Sequence, residues 1–91
     1  MIRLAQYLAE GMSPHPEDIL VEERPGPDDA SEIVLSASAA NLPFLIGRGG
    51  RNIRAIRALV SQAARARGRN AVLRLENLII HEDPLFRDDP F

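Results

Sequence analysis

The chain has 91 residues, no cysteine and a formal net charge of −2, which limits it to about one domain and excludes disulfides, thiol nucleophiles and cysteine-based metal sites. Hydrophobic residues make up 45% of it and charged residues 26%, a composition typical of a globular domain and not of a disordered chain. No apolar run reaches the roughly 20 residues of a membrane span, and the amphipathic start differs from a signal peptide, so we expect a cytoplasmic protein.

The first part of the chain predicts one helix and two strands. Apolar residues at helical spacing predict a helix over residues 2–10, with Gly11 as its C-cap. The short apolar stretch at 18–24 predicts a strand, and Pro-Gly-Pro-Asp-Asp at 25–29 predicts a turn. Alternation over 32–38 predicts a second strand that is buried on one face.

The following part predicts two helices and a third strand. Asn41 is placed to cap a short helix over 42–46, and the glycine-rich turn at 47–50 must end that helix. An amphipathic helix follows over 51–67, and alternation at 71–76 predicts the third strand. Because the apolar sides of the strands need cover and the helices supply it, we expect a two-layer α+β sandwich.

Charge is distributed unevenly along the chain. All eleven basic residues are arginine, and eight of them lie within residues 33–75, which contain no aspartate or glutamate. The flanking segments, 1–32 and 76–91, are acidic. A cationic region attracts polyanions locally whatever the net charge, so this distribution favours a nucleic-acid partner for the middle of the chain.

The glycine-rich turn is the segment that carries chemistry. Gly47 and Gly50 lack Cβ atoms where a ligand backbone could approach, and the turn leads into a helix N-terminus, whose free N–H groups favour phosphate. Arg48 adds a cation in the turn, and Arg51 and Arg54 follow on an exposed face. A Rossmann fingerprint and a P-loop are excluded by a missing third glycine and a missing lysine. The interpretation without a ligand is a helix–glycine–helix corner with solvated arginines.

The pattern Ile-Gly-Arg-Gly-Gly-Arg-Asn-Ile, with a strand before it and an amphipathic helix and strand after it, resembles the KH domain. The G-x-x-G loop of that domain clamps about four nucleotides of single strand. The preceding helix, proline-containing turn and acidic strand resemble the small bacterial single-domain KH proteins of the KhpA/YlqC type. The resemblance covers residues 1–76 and implies a type II-like α-β-β-α-α-β fold, with a three-stranded sheet covered by three helices.

The resemblance also implies roles for single residues. Residues 47–50 would form the clamp, and Phe44, Leu45, Ile46 and Ile53 would border an apolar groove or support it from the core. With the arginines, the predicted RNA-binding residues are Ile46, Gly47, Arg48, Gly49, Gly50, Arg51, Ile53 and Arg54. The family usually has lysine where this loop has arginine, which also contacts phosphate. One such module binds weakly, so we expect self-association or a second KH protein of the Jag/KhpB type as partner.

These features predict a non-catalytic protein that binds single-stranded RNA with low sequence specificity. Tyr7 and Phe44 are expected in the core, which leaves mainly aliphatic contacts to bases. The competing hypothesis is a protein-interaction module on a KH scaffold, whose arginines meet acidic protein surfaces. No catalytic site, metal or cofactor is expected, because neither His15 nor His81 has a second histidine nearby or a clear constellation of carboxylates, and the serines lack a nucleophile elbow.

Residues 77–91 extend past the resemblance and need a separate hypothesis. They are acidic and contain Phe86 and Phe91. This segment could fold back over the arginine surface and compete with RNA, or dock on a partner, or be a frayed terminus.

Overall fold

The computed structural model describes residues 1–78. Its helices and strands are α1 (Ile2–Met12), β1 (Ile19–Pro25), β2 (Ser31–Ala37), α2 (Leu42–Ile46), α3 (Arg51–Ala66) and β3 (Ala71–Asn77). Three helices and a three-stranded sheet in this order confirm the predicted α+β architecture. Of the C-terminal segment 77–91, residues 79–91 lie outside the described part of the chain, so the hypotheses on that segment stay predictions.

The sheet has the order β1-β2-β3, with β2 in the centre. β1 pairs with β2 in antiparallel fashion, in a register that sets Val21 opposite Leu35. β3 pairs with β2 in parallel, with Leu73 opposite Ile33. Parallel neighbours need a long crossover, and here α2, the glycine-rich turn and α3 make that crossover.

The core lies between the helices and one face of the sheet. Alternate residues of a strand point to the same face, so Ile33 and Leu35 of β2 meet the helices together with Leu73 of β3. The core cluster comprises Ala5, Ala9, Ile19, Val21, Ile33, Leu35, Ala37, Leu45, Ile53, Ile56, Val60 and Leu73. α1 contributes only alanines to the fully buried set, which allows its backbone to lie close to its neighbours.

The prediction that β2 is buried on one face only is wrong, since Val34 and Ser36 on the other face are also buried. In the register of the sheet, Val34 lies between Glu22 and Arg74 of the two neighbouring strands. Arg74 also pairs with Glu32 at 3.4 Å on this face. A central strand has a neighbouring strand on each side as well as the helices on one face. The alternation of apolar residues in the sequence indicates only the face that packs against the helices.

α1 continues two residues beyond the predicted end, so the prediction that Gly11 caps it is wrong. The helix ends at Ser13, whose hydroxyl donates to the Ala9 carbonyl at 2.7 Å and whose backbone N–H donates to Glu10 O at 3.3 Å. Pro14 explains the position, because the residue before a proline is driven out of the helical region. The bounds of β1 and β2 differ from the predicted ones by one residue at both ends, and β3 extends one residue beyond its predicted end.

Asn41 occupies the N-cap position of α2, but its side chain makes no capping hydrogen bond, so the predicted capping is wrong. The side chain is fully buried and bonds the backbone of His15 instead. Asn41 Nδ2 donates to His15 O at 2.7 Å, and His15 N–H donates to Asn41 Oδ1 at 3.0 Å. These two hydrogen bonds tie the turn before β1 to the start of α2.

No helix within residues 1–78 has the length and apolar character to cross a membrane.

Candidate nucleic-acid interface

The turn between α2 and α3 requires glycine for its backbone conformation. Gly47, Gly49 and Gly50 have φ values of +75°, +63° and +78°, in the left-handed region that L side chains rarely adopt. Gly47 is also sterically required, because a Cβ there would lie 2.8 Å from Asn52 Cγ. Gly49 instead faces open space, so its backbone surface is accessible to a ligand.

Hydrogen bonds hold this turn against both helices. Gly47 N–H donates to Pro43 O at 2.9 Å and completes the last turn of α2. Gly50 N–H donates to Gly47 O at 3.0 Å and closes the turn itself. The turn is therefore a defined structure whose shape is set before any ligand arrives.

The N-terminus of α3 lacks a side-chain cap. Its N-cap residue is Gly50, which has no side chain to accept from the first backbone N–H groups, and its first turn contains no acidic residue. The first N–H groups of a helix have no partner within the helix, and the dipole makes this end electropositive. The arrangement is chemically suited to an anion such as phosphate.

Three arginines surround the turn. Arg48 and Arg51 are exposed, and within residues 1–78 the ion pairs formed by arginine involve Arg24, Arg69 and Arg74. Arg54 is exposed as well, and its Nη1 donates to Gly49 O at 2.6 Å. This bond holds the third guanidinium against the turn, where it adds positive charge and braces the backbone.

The apolar residues beside the turn divide into buried and exposed ones. Ile53 is only 6% exposed and belongs to the core, whereas Ile46 is 41% exposed, so only Ile46 of the two predicted isoleucines presents surface to a ligand. Phe44 is 53% exposed and Tyr7 is 76% exposed. The prediction that both aromatic rings lie in the core is therefore wrong.

Asn52 is a residue of this site that the sequence analysis missed. Its Nδ2 donates to Phe44 O at 2.7 Å, so it joins the first turn of α3 to the end of α2 across the glycines. The same side chain fills the space that excludes a Cβ at Gly47. The sequence does not indicate that an asparagine in the first turn of a helix donates a hydrogen bond to a carbonyl eight residues earlier in the chain.

Solved structures of Era share this fold. One is a variant of Aquifex aeolicus Era bound to GDP·AlF4−, at a TM-score of 0.60 and 21% identity over 88% of this chain and 31% of that one. Another is Era in complex with MgGDPNP and nucleotides 1506–1542 of 16S ribosomal RNA, at a TM-score of 0.61 and 21% identity over 89% of this chain and 30% of that one. This chain thus spans about a third of the length of those chains.

Among curated proteins, none matches this chain. The family described as KhpA/KhpB, KH domain, matches residues 3–75. The match includes all six helices and strands up to Leu75 in β3, with the glycine-rich turn between α2 and α3. The predicted resemblance is thereby confirmed, and the chain belongs to the KhpA/KhpB family of KH domains.

Proposed function

We propose that the chain binds single-stranded RNA through residues 47–50, without catalysis and with low sequence specificity. The observation that carries the proposal is an accessible turn of left-handed glycines that opens on the uncapped N-terminus of α3 and is surrounded by arginines. KH modules clamp about four nucleotides with such a loop. One of the similar Era structures contains ribosomal RNA, which supports the choice of RNA as the ligand.

In the proposed complex the sugar–phosphate backbone passes over the open side of Gly49, where a Cβ would meet no atom within 4 Å. A phosphate accepts hydrogen bonds from N–H groups in the first turn of α3, where the N–H of Arg51 already donates to Arg48 O. Arg48 and Arg51 provide charge-assisted hydrogen bonds to neighbouring phosphates, while Arg54 adds its charge from above the turn.

Low specificity follows from the kind of contact. Phosphate contacts set the position of the strand but carry no sequence information, and the groups around this turn are backbone N–H groups and guanidinium cations. With three or four phosphates neutralised, log K against log salt should have a slope of about −2 to −3 for a single strand.

Gly49 is the position at which the proposal is best tested. A Cβ there would meet no atom within 4 Å, and asparagine and aspartate tolerate the left-handed conformation better than other residues do. Gly49→Asp and Gly49→Asn therefore carry the same backbone strain and nearly the same shape, and they differ in one negative charge.

The assay is fluorescence anisotropy of a labelled single-stranded RNA 10-mer at two salt concentrations. We expect salt-sensitive binding by the wild type and a loss of at least about 10-fold in affinity in Gly49→Asp relative to Gly49→Asn, because the carboxylate would lie within a few ångströms of a phosphate. Equal affinity of the two variants would refute the proposed position of the RNA backbone.

We further propose that a second KH module strengthens this weak site, either from another copy of the chain or from a Jag/KhpB-type protein, because linked weak sites gain avidity. Sedimentation of the chain, alone and mixed with such a protein, tests this. Gly49→Asp should leave association intact while it removes RNA binding. If the wild type associates but binds no RNA at low salt, the protein-interaction hypothesis is favoured instead.

A further inference from the structure

α2 exposes apolar side chains although a helix of its composition is normally buried. All five of its residues, Leu-Pro-Phe-Leu-Ile, are apolar, and a helix that is hydrophobic all round is normally buried. In α2 only Leu45 is buried, whereas Phe44 and Ile46 are exposed. Exposed apolar surface beside a cationic turn marks a site for a ligand that has both apolar and anionic parts.

We propose that the ring of Phe44 is a stacking platform for one unpaired base of the RNA strand that residues 47–50 hold. This inference rests on the proposed function and deepens it, because it adds a contact to a base where the turn itself contacts only the backbone. Base–aromatic stacking tolerates every base, since each has a π face, so the platform is compatible with low sequence specificity.

The position of Phe44 relative to the turn supports this role. The bond from Gly47 N–H to Pro43 O continues the geometry of α2 up to the first glycine. Residues three apart on a helix are neighbours on one side of it, so Phe44 lies on the side of α2 from which the turn begins. With a rise of about 1.5 Å per residue, the two positions are separated by roughly 4.5 Å along the axis.

Phe44 is also held in place before any ligand binds. Its N–H donates to Asn41 O at 3.1 Å, and its carbonyl accepts from Asn52 Nδ2 at 2.7 Å. Asn41 is itself fixed by its two bonds to His15. The backbone under the ring is therefore preorganised, which reduces the ordering cost of binding.

Single-stranded RNA fits this surface because grooves for single strands combine cationic groups along the backbone with rings that stack on bases. Arg48 and Arg51 supply the first element, and Phe44 supplies the second. A paired base in a duplex is already stacked between its neighbours and is not available to the ring, so the platform distinguishes single strands from duplexes.

The test compares hexauridine with an abasic RNA hexamer, which keeps the sugar–phosphate backbone and lacks the bases. We expect the wild type to prefer hexauridine, Phe44→Ala to lose roughly 5-fold or more in affinity for it, and the two hexamers to bind Phe44→Ala almost equally. Phe44→Tyr keeps the ring and should retain the preference, whereas Phe44→Leu keeps apolar volume only and should lose it.

A spectroscopic readout is available because the chain contains no tryptophan. The indole of Phe44→Trp should be quenched by hexauridine and not by the abasic hexamer. Val72→Trp is the matched control, since Val72 is 55% exposed and lies on the face of the sheet opposite the helices, one residue from buried Leu73. Its indole should stay unquenched.

The outcomes separate this inference from the proposed function. If Phe44→Ala binds hexauridine as the wild type does while Gly49→Asp loses binding, the clamp stands and the platform is refuted. If Gly49→Asp binds as Gly49→Asn does, the proposed function fails. If the wild type binds neither hexamer, both fail.

Discussion

Replacing Asn41 with alanine should destabilise the protein more than any other single truncation of an amide side chain in residues 1–78. The side chain is fully buried and makes two hydrogen bonds with the backbone of His15. Each bond contributes about 0.5–1.5 kcal/mol net, and a buried partner left unsatisfied costs more. His15 itself is exposed, so water reaches part of its backbone, and we expect a loss of about 2–3 kcal/mol.

Urea denaturation followed by circular dichroism measures this loss. With a slope of about 1.5 kcal/mol per molar urea for a domain of this size, the urea midpoint should fall by about 1.3–2 M at unchanged slope. Asn41→Asp should be at least as unstable, because it removes the donor to His15 O and buries a carboxylate.

Asn52→Ala is the matched control, since Asn52 also donates from a side-chain amide to a backbone carbonyl, that of Phe44 at 2.7 Å. This bond is open to solvent, and alanine has the higher helix propensity. We therefore expect a change of less than about 1 kcal/mol. Equal shifts of the urea midpoint in Asn41→Ala and Asn52→Ala would refute the argument that burial and the pair of hydrogen bonds to His15 determine the loss of stability.

Two further predictions concern the turn and its charges. Gly47→Ala should lower the free energy of unfolding by about 2–3 kcal/mol, from backbone strain and the overlap with Asn52, and so reduce the melting temperature by about 10 °C or more. Gly49 has open space and the milder left-handed conformation, with ψ of 19° against 169° at Gly47, so Gly49→Ala should lose about half as much. Equal losses would refute the argument from backbone conformation and overlap at Gly47. Arg48→Gln should reduce the magnitude of the salt slope of RNA binding by about 0.7. Arg65→Gln should leave the slope unchanged, because Arg65 lies roughly 21 Å from Arg51 along the axis of α3. A slope unaffected by Arg48→Gln would mean that this guanidinium contacts no phosphate.

The sheet, the helices and the position of the glycine-rich turn could be predicted because their signals are local. Alternation defines β3, whose Leu73 is buried between exposed Val72 and Arg74. The 16 residues of α3 show a clear apolar arc, and Ile56 and Val60 on it are fully buried. Elements of several turns average over enough positions for periodicity to reveal the buried face.

The details of the site could not be predicted in the same way. α2 has five residues, less than two turns, so its sequence does not show which of its apolar residues faces the core. The prediction that Phe44 lies in the core is wrong for this reason. Asn41 has the residue type of a cap, but its partner His15 lies 26 residues away. Val34 is buried on the second face of β2, in a central strand whose two neighbours are distant in sequence. Each of these outcomes is decided by tertiary neighbours.

The parallel pairing of β2 with β3 has a consequence for the order of folding. β1 and β2 are joined by a short turn and can pair early, but β3 reaches β2 only after the intervening crossover has closed, and non-local pairing of this kind is slow. Until then one edge of β2 is unpaired and offers a template for intermolecular strand pairing. Because the glycine-rich turn lies within that crossover, a chain that has failed to form this turn also carries an open sheet edge. Variants that distort this turn should therefore aggregate during refolding as well as lose their ligand.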